Sequence, residues 1–173
     1  MPAGSEPWRG RPHFQRMQAL ARIAEVAVFV TDPRYPPLAA AGPRVFERRA
    51  KGRPLPVPGA SVEHVPYPLL PVITRAINGR VLGWRLLLRV REFRPDLILG
   101  YFVHPEGTAA VQVARRIDVP AVVCAIGSDL CRIPGVFSRR VTCATLRRAS
   151  LVIAVSEDLR RRAVALGAPP ERT

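Results

Sequence analysis

The chain has 173 residues, 48% of them apolar, with a formal net charge of +14 from 27 Arg and Lys against 13 Asp and Glu. That length supports one domain with a real core and excludes two comfortable ones, while the lack of any run of about 18 apolar residues excludes a hydrophobic membrane span. The opening residues, MPAGSEPWRGRPHF, have no apolar stretch after their basic residues and so are not a secretory signal; three cysteines without C-x-x-C spacing point to a reduced, cytosolic protein.

In chain order, residues 13 to 24 place His13, Phe14, Met17, Leu20, Ala21 and Ala24 on one helical stripe. VAVFV at 26 to 30 predicts a short strand buried on both faces and broken by Thr31-Asp32-Pro33. Residues 33 to 60 are rich in Pro and Gly, carry the basic run RRAKGR, and predict a long mobile loop. SVEHV, 61 to 65, is a weak strand ending at Pro66. A helix is expected over 74 to 93, where Ile77, Val81, Trp84, Leu88 and Arg91 recur at three and four residues, with Arg80, Arg85, Arg89 and Arg94 on a charged side. Pro95 closes it.

LILGYF, 97 to 102, is the next strand. Pro105 suits the first position of a helix reaching Ile117, with Ala109, Ala110, Val113 and Ala114 able to pack closely on a sheet. Pro120 then leads into AVVCAI. After Gly127-Ser128-Asp129 come a loop, a helix near 138 to 148, and the strand LVIAV, 151 to 155. Ser156 caps a last helix that carries Glu157 and Asp158 in its first turn and ends at Gly167.

Apolar strands alternating with helices of crossover length predict an α/β fold with a parallel sheet. Ligands in such sheets bind beyond the carboxyl ends of the strands. Four segments fall there: Thr31-Asp32, Tyr101 through Gly107, Gly127 through Leu130, and Ser156-Glu157. The chain opens on a loop and a helix with no strand before them and stops at APPERT, so both ends are expected to be cut.

Each candidate site residue has a structural role open beside a functional one. His104 and Glu106 stand at an expected helix start, where they either cap the helix or contact a polyol or phosphate. Tyr101 could add a flat surface or a hydroxyl. Gly127 lets a ligand near the backbone, Ser128 offers a hydroxyl and an N–H, and Asp129 takes a substrate hydroxyl or caps the next segment. Arg132, Arg139, Arg140, Arg147 and Arg148 follow; one or two of them could face a phosphorylated ligand. His13, His64 and His104 have no spacing that makes a metal site. Neither standard phosphate loop and no G-x-S-x-G elbow is present.

The positive field suits nucleic acid, an anionic membrane leaflet or phosphorylated small molecules, or it is simply compositional. Nucleic-acid binding has little support beyond charge: there is no recognition-helix signature and little aromatic interleaving.

Three segments together resemble the N-terminal, acceptor-side domain of the retaining family 4 glycosyltransferases, which have two Rossmann-like domains (the GT-B type). They are PWRGRPHFQRMQALA at 7 to 21, FRPDLILGYFVHPEGTAAVQVARRIDVPAVVCAIGSDL at 93 to 130, and LRRASLVIAVSEDLRRRAVALGAPPER at 146 to 172. The resemblance implies a Rossmann-like parallel sheet flanked by helices, with its first strand missing. It implies transfer from a nucleotide sugar to a glycan or lipid-linked acceptor, without cofactor or metal, in envelope polysaccharide or glycolipid assembly.

Carried over by position, Gly10 belongs to the glycine-bearing loop near the cleft. Gly127-Ser128-Asp129 matches the H-G-S-D element, and Ser156 and Glu157 match the V-S-E element. Ile126 departs from the family's His or Arg, and Leu99 and Tyr101 stand where the family has histidines. The resemblance places the donor-binding domain with its acidic motif outside these residues, so the chain is expected to be inactive alone. An alternative is a binding subunit that pairs with a separately encoded donor-binding domain. The location implied is cytoplasmic, either free or peripheral at the inner face of the plasma membrane.

Overall fold

The computed structural model describes residues 11–34, 56–68 and 76–173. The chain divides into two compact units, residues 1–66 and 67–173.

The first unit holds helix α1 (Arg11–Leu20), strand β1 (Val26–Arg34) and most of strand β2 (Ala60–Pro68), and the two strands pair in a two-stranded sheet. Met17 is the buried residue of α1, on the predicted stripe, whereas Ala24 lies beyond the helix and is exposed. β1 departs from expectation in two ways. It continues through Thr31, Asp32 and Pro33 to Arg34, and its residues up to Pro33 are half-buried rather than covered on both faces. β2 likewise runs on past Pro66, with Val65 and Tyr67 buried. Of the loop expected over 33 to 60, positions 33 and 34 belong to β1 and position 60 to β2. Residues 35–55 lie outside the described residues, as does Gly10. Burial, with neighbouring positive charge from groups such as Arg16, holds the His13 imidazole below its ordinary range.

The second unit is a Rossmann-like α/β layer. Its parallel sheet has the order β3 (Ile98–Tyr101), β4 (Ala121–Ala125), β5 (Leu151–Ala154). β4 is central and buried at every residue, as its unbroken apolar run requires. The register sets Tyr101 opposite Cys124, Cys124 opposite Ile153, and Ala125 opposite Ala154. Helix α3 (Thr108–Ile117) makes the β3-to-β4 crossover with Ala109, Ala110, Val111, Val113 and Ala114 buried. Helices α4 (Ser128–Cys131) and α5 (Gly135–Arg148) connect β4 to β5, and α6 (Glu157–Ala165) follows β5. The main core joins Val103, Val123, Leu146, Val152, Leu159 and Ala163 across these elements. β5 is less covered than its composition suggests, since Leu151 and Ile153 are exposed.

Helix α2 (Asn78–Phe93) packs on α3 by a face that the sequence did not advertise. The buried positions are Asn78, Gly79, Leu82, Gly83 and Val90, while most of the predicted stripe is turned outward: Ile77 is 45%, Trp84 68% and Leu88 67% exposed, and only Val81 of its apolar members is half-buried. A Cβ on Gly79 would stand 2.6 Å from Thr108 Cβ, and one on Gly83 would stand 2.9 Å from the Gln112 amide. Two glycines one turn apart therefore meet two α3 residues one turn apart, which brings the helix axes close. Gln112 Nε2 donates to the Arg80 carbonyl across this seam at 3.3 Å.

α3 also begins later than expected. Pro105 is not its first residue; it sits in a wide turn, Val103–Gly107, and regular helix starts at Thr108.

Candidate functional site

The carboxyl ends of the three parallel strands place the turn 102–107, the segment 126–130 and the segment 155–157 along one edge of the sheet. Asp129 joins the first two. Its Oδ2 accepts the Val103 N–H at 2.9 Å, and its Oδ1 accepts the N–H groups of Gly127 at 2.8 Å and Ile126 at 3.2 Å. A carboxylate taking backbone N–H groups from two loops holds both in one geometry, and such charge-assisted bonds are stronger than neutral ones. The carboxylate does not cap the next segment; it ties the residues before it to the neighbouring turn.

The turn needs that hold. Phe102 has φ +65 and ψ 145, a region that non-glycine residues rarely occupy. Its carbonyl accepts the Gly107 N–H at 2.9 Å, closing the turn on itself. Gly107 itself is required by space: a Cβ there would lie 2.6 Å from the Phe102 oxygen and 2.9 Å from Val123 Cγ1.

His104 and Glu106 are both half-buried in this turn. His104 Nδ1 lies 3.0 Å from Thr108 Oγ1, which also contacts the Val103 carbonyl at 3.3 Å and Thr145 Oγ1 at 2.9 Å. A hydroxyl has one proton and two lone pairs. If Thr108 donates to the Val103 carbonyl, it accepts from Thr145 and from His104. The neutral imidazole then carries its proton on Nδ1 and keeps a lone pair on Nε2. Thr108 and the buried Thr145 were not singled out from the sequence; a small polar residue recurring inside an apolar helical pattern was the available signal.

At the neighbouring loop, Gly127 has φ +148, and a Cβ built there meets no atom within 4 Å. The glycine is thus demanded by backbone conformation, and the space beside it is open. Ser128 is exposed, and among the described residues its hydroxyl has no hydrogen-bond partner. Tyr101 ends β3 and is half-buried. Ser156 and Glu157 follow β5, where the Val155 N–H reaches the Ala125 carbonyl at 3.3 Å. Ser156 Oγ caps α6 by accepting the Leu159 N–H at 3.3 Å, and Glu157 pairs with Arg160 at 3.2 Å. The structure thus brings Tyr101, His104, Glu106, Gly127, Ser128 and Asp129 to one pair of linked loops. It commits Ser156 to capping, and Thr31 and Asp32 lie in the other unit. Among the described residues, no group of three or more His, Cys, Asp or Glu side chains stands close enough to hold a metal ion.

A three-stranded parallel sheet with helical crossovers and loops gathered at the strand carboxyl ends defines a Rossmann-like α/β protein. Residues 14–173 match the family model described as a glycosyl transferase 4-like domain, and the chain belongs to that family. Among solved structures, similarity is found to UDP-N-acetylglucosamine 2-epimerase from Rickettsia bellii, at 20% identity and a TM-score of 0.44. That match covers 59% of this chain and 27% of the epimerase chain. No curated protein matches the sequence.

Proposed function

We propose that this chain forms the acceptor-side wall of a retaining glycosyltransferase that moves a sugar from a nucleotide sugar to a glycan or lipid-linked acceptor, without a metal. The observation that carries it is the family match over residues 14–173; it is supported by the linked loops lying beyond the strand carboxyl ends, where parallel α/β sheets bind ligands. Acceptor hydroxyls would meet Ser128 and the polar groups of Tyr101, His104 and Glu106, while Asp129 keeps the two loops in register.

The donor diphosphate belongs elsewhere. Holding a leaving diphosphate takes preorganised donors aimed at its developing charge. Here the N–H groups of Ile126, Gly127 and Val103 are already committed to Asp129, and a carboxylate at that point repels an anion. Ile126 adds no polar group where the family resemblance would place His or Arg. The donor wall is therefore assigned to a second domain, on a continuous chain or separately encoded, in an enzyme working at the cytoplasmic face of an anionic membrane in polysaccharide or glycolipid assembly.

A panel of radiolabelled nucleotide sugars, with membrane extract as acceptor, tests this. The 173-residue chain alone is expected to give no transfer above background. Transfer by the chain alone that disappears in Ser128→Ala or Asp129→Ala would contradict the division of labour, because these residues would then suffice for both substrates.

A further inference from the structure

Helix α5 packs on the turn 103–107, and its buried residues are mostly hydroxyls: Ser138, Thr142 and Thr145, at spacings of four and three on one face, beside Leu146. Buried helix faces ordinarily carry apolar residues, and a buried hydroxyl is costly without a partner. Thr145 Oγ1 has one in Thr108 Oγ1 at 2.9 Å, and Thr108 Oγ1 reaches on to His104 Nδ1 at 3.0 Å. Helix α5, helix α3 and the turn thus meet in one hydrogen-bonded row that ends on an imidazole at the candidate cleft.

The row has a direction. The Val103 carbonyl, 3.3 Å from Thr108 Oγ1, can only accept, so that contact uses the single Thr108 proton. The two lone pairs of Thr108 are left for Thr145 and His104, and each of these then donates.

We infer that Thr108 and Thr145 are positioning residues for the candidate cleft, holding the neutral His104 ring with its proton on Nδ1 so that Nε2 takes a hydroxyl proton from a neutral acceptor saccharide. The inference deepens the proposed acceptor site and rests on it. An imidazole lone pair in one pair of loops with the carboxylates of Glu106 and Asp129 suits a sugar hydroxyl that donates, and it disfavours a sugar carboxylate or sulfate. That preference runs against the net charge of +14, which separates it from attraction by the overall field.

Long-range nitrogen–proton spectra of the histidine-labelled chain in alkaline buffer, where imidazole is neutral, read the tautomer without any sugar. The sequence has three histidines, and His104→Gln identifies the signals of that ring by difference. In the wild type His104 is expected to carry its proton on Nδ1. Thr108→Val should release that preference and Thr108→Ser should restore it. Thr145→Val should give a mixture, because one Thr108 lone pair is vacated and the hydroxyl can turn its proton toward Nδ1.

The sugar arm uses saccharides released from membrane glycolipids, split by anion exchange into neutral and acidic fractions. The neutral fraction should move the His104 Nε2 resonance in a saturable way, and the same fraction after permethylation should not, having lost its hydroxyl donors. Affinity for the neutral fraction should fall about tenfold in Thr108→Val and recover in Thr108→Ser. A wild-type ring protonated on Nε2, or a tautomer indifferent to Thr108→Val, would overturn the inference and leave the acceptor site standing. So would saccharides that shift Ser128 without moving Nε2, or an acidic fraction that binds as well as the neutral one. No response of either loop to any saccharide would refute the proposed function together with the inference.

Discussion

Asp129→Ala is expected to destabilise the chain by about 3 kcal/mol and to loosen both loops of the candidate cleft. Hydrogen bonds to charged groups contribute roughly 1.5–3 kcal/mol each, and Asp129 makes three to backbone N–H groups. Their sum overstates the loss, because the site is partly exposed and water can reach some of the freed donors. The Val103 bond matters most, since it ties one strand's exit to another's and opposes the strained backbone of Phe102. Asp129→Asn keeps one acceptor oxygen but sets an amide NH2 against an N–H group, so it should fall between wild type and alanine. Urea denaturation followed by circular dichroism gives the ranking. If Asp129→Ala stays within about 0.5 kcal/mol of wild type, as surface changes usually do, the carboxylate is not the tie described here.

Gly107→Ala should also be strongly damaging, for a steric reason. Its backbone is ordinary, with φ −62 and ψ −37, so alanine meets no conformational objection. The added Cβ would instead stand 2.6 Å from the Phe102 carbonyl oxygen and 2.9 Å from Val123 Cγ1. The first neighbour is backbone held by the Gly107 N–H itself, and the second belongs to a core residue that is 0% exposed. Neither can step aside cheaply, and overpacking of this kind costs about 1–3 kcal/mol, occasionally more. Expression of Gly107→Ala should fall, and its urea midpoint should lie well below that of Gly135→Ala. Gly135 has φ +72 but open space around it, so its substitution carries backbone strain of about 1 kcal/mol without a clash. Equal midpoints for the two variants would show that the turn 103–107 yields more readily than its contacts indicate.

The sheet was legible from residue order because β3, β4 and β5 are apolar runs closed by Pro, Gly or Ser, and the helices between them carry clear packing residues. Ala109, Ala110, Val113 and Ala114 on α3 and the Ser156 cap of α6 follow from local pattern alone. Helix α2 was not legible in the same way. Its large apolar residues make the stronger stripe, yet close helix approach rewards the face with the least side chain, and that face is marked only by Gly79 and Gly83. The turn at 103–107 escaped for another reason: Pro105 suits a helix start locally, but Gly107 must reach back to Phe102 and Val103 must reach Asp129. The first closes the turn on itself and the second joins two loops, and no local pattern carries either. The same limit left Asp129 open between ligand contact and capping of the next segment, with its tie to Val103 unforeseen.

In the function proposed above, the edge formed by residues 101–107 and 126–129 receives an acceptor sugar and not a nucleotide diphosphate. Amide nitrogen–proton correlation spectra of the 173-residue chain, titrated separately with nucleotide sugars and with saccharides released from membrane glycolipids, address it most directly. The account predicts that the saccharides shift the amides of Ser128, His104 and Glu106 in a saturable way, while nucleotide sugars leave those of Val103, Ile126 and Gly127 in place. Shifts of Val103, Ile126 and Gly127 with a nucleotide sugar, and none with any saccharide, would contradict it.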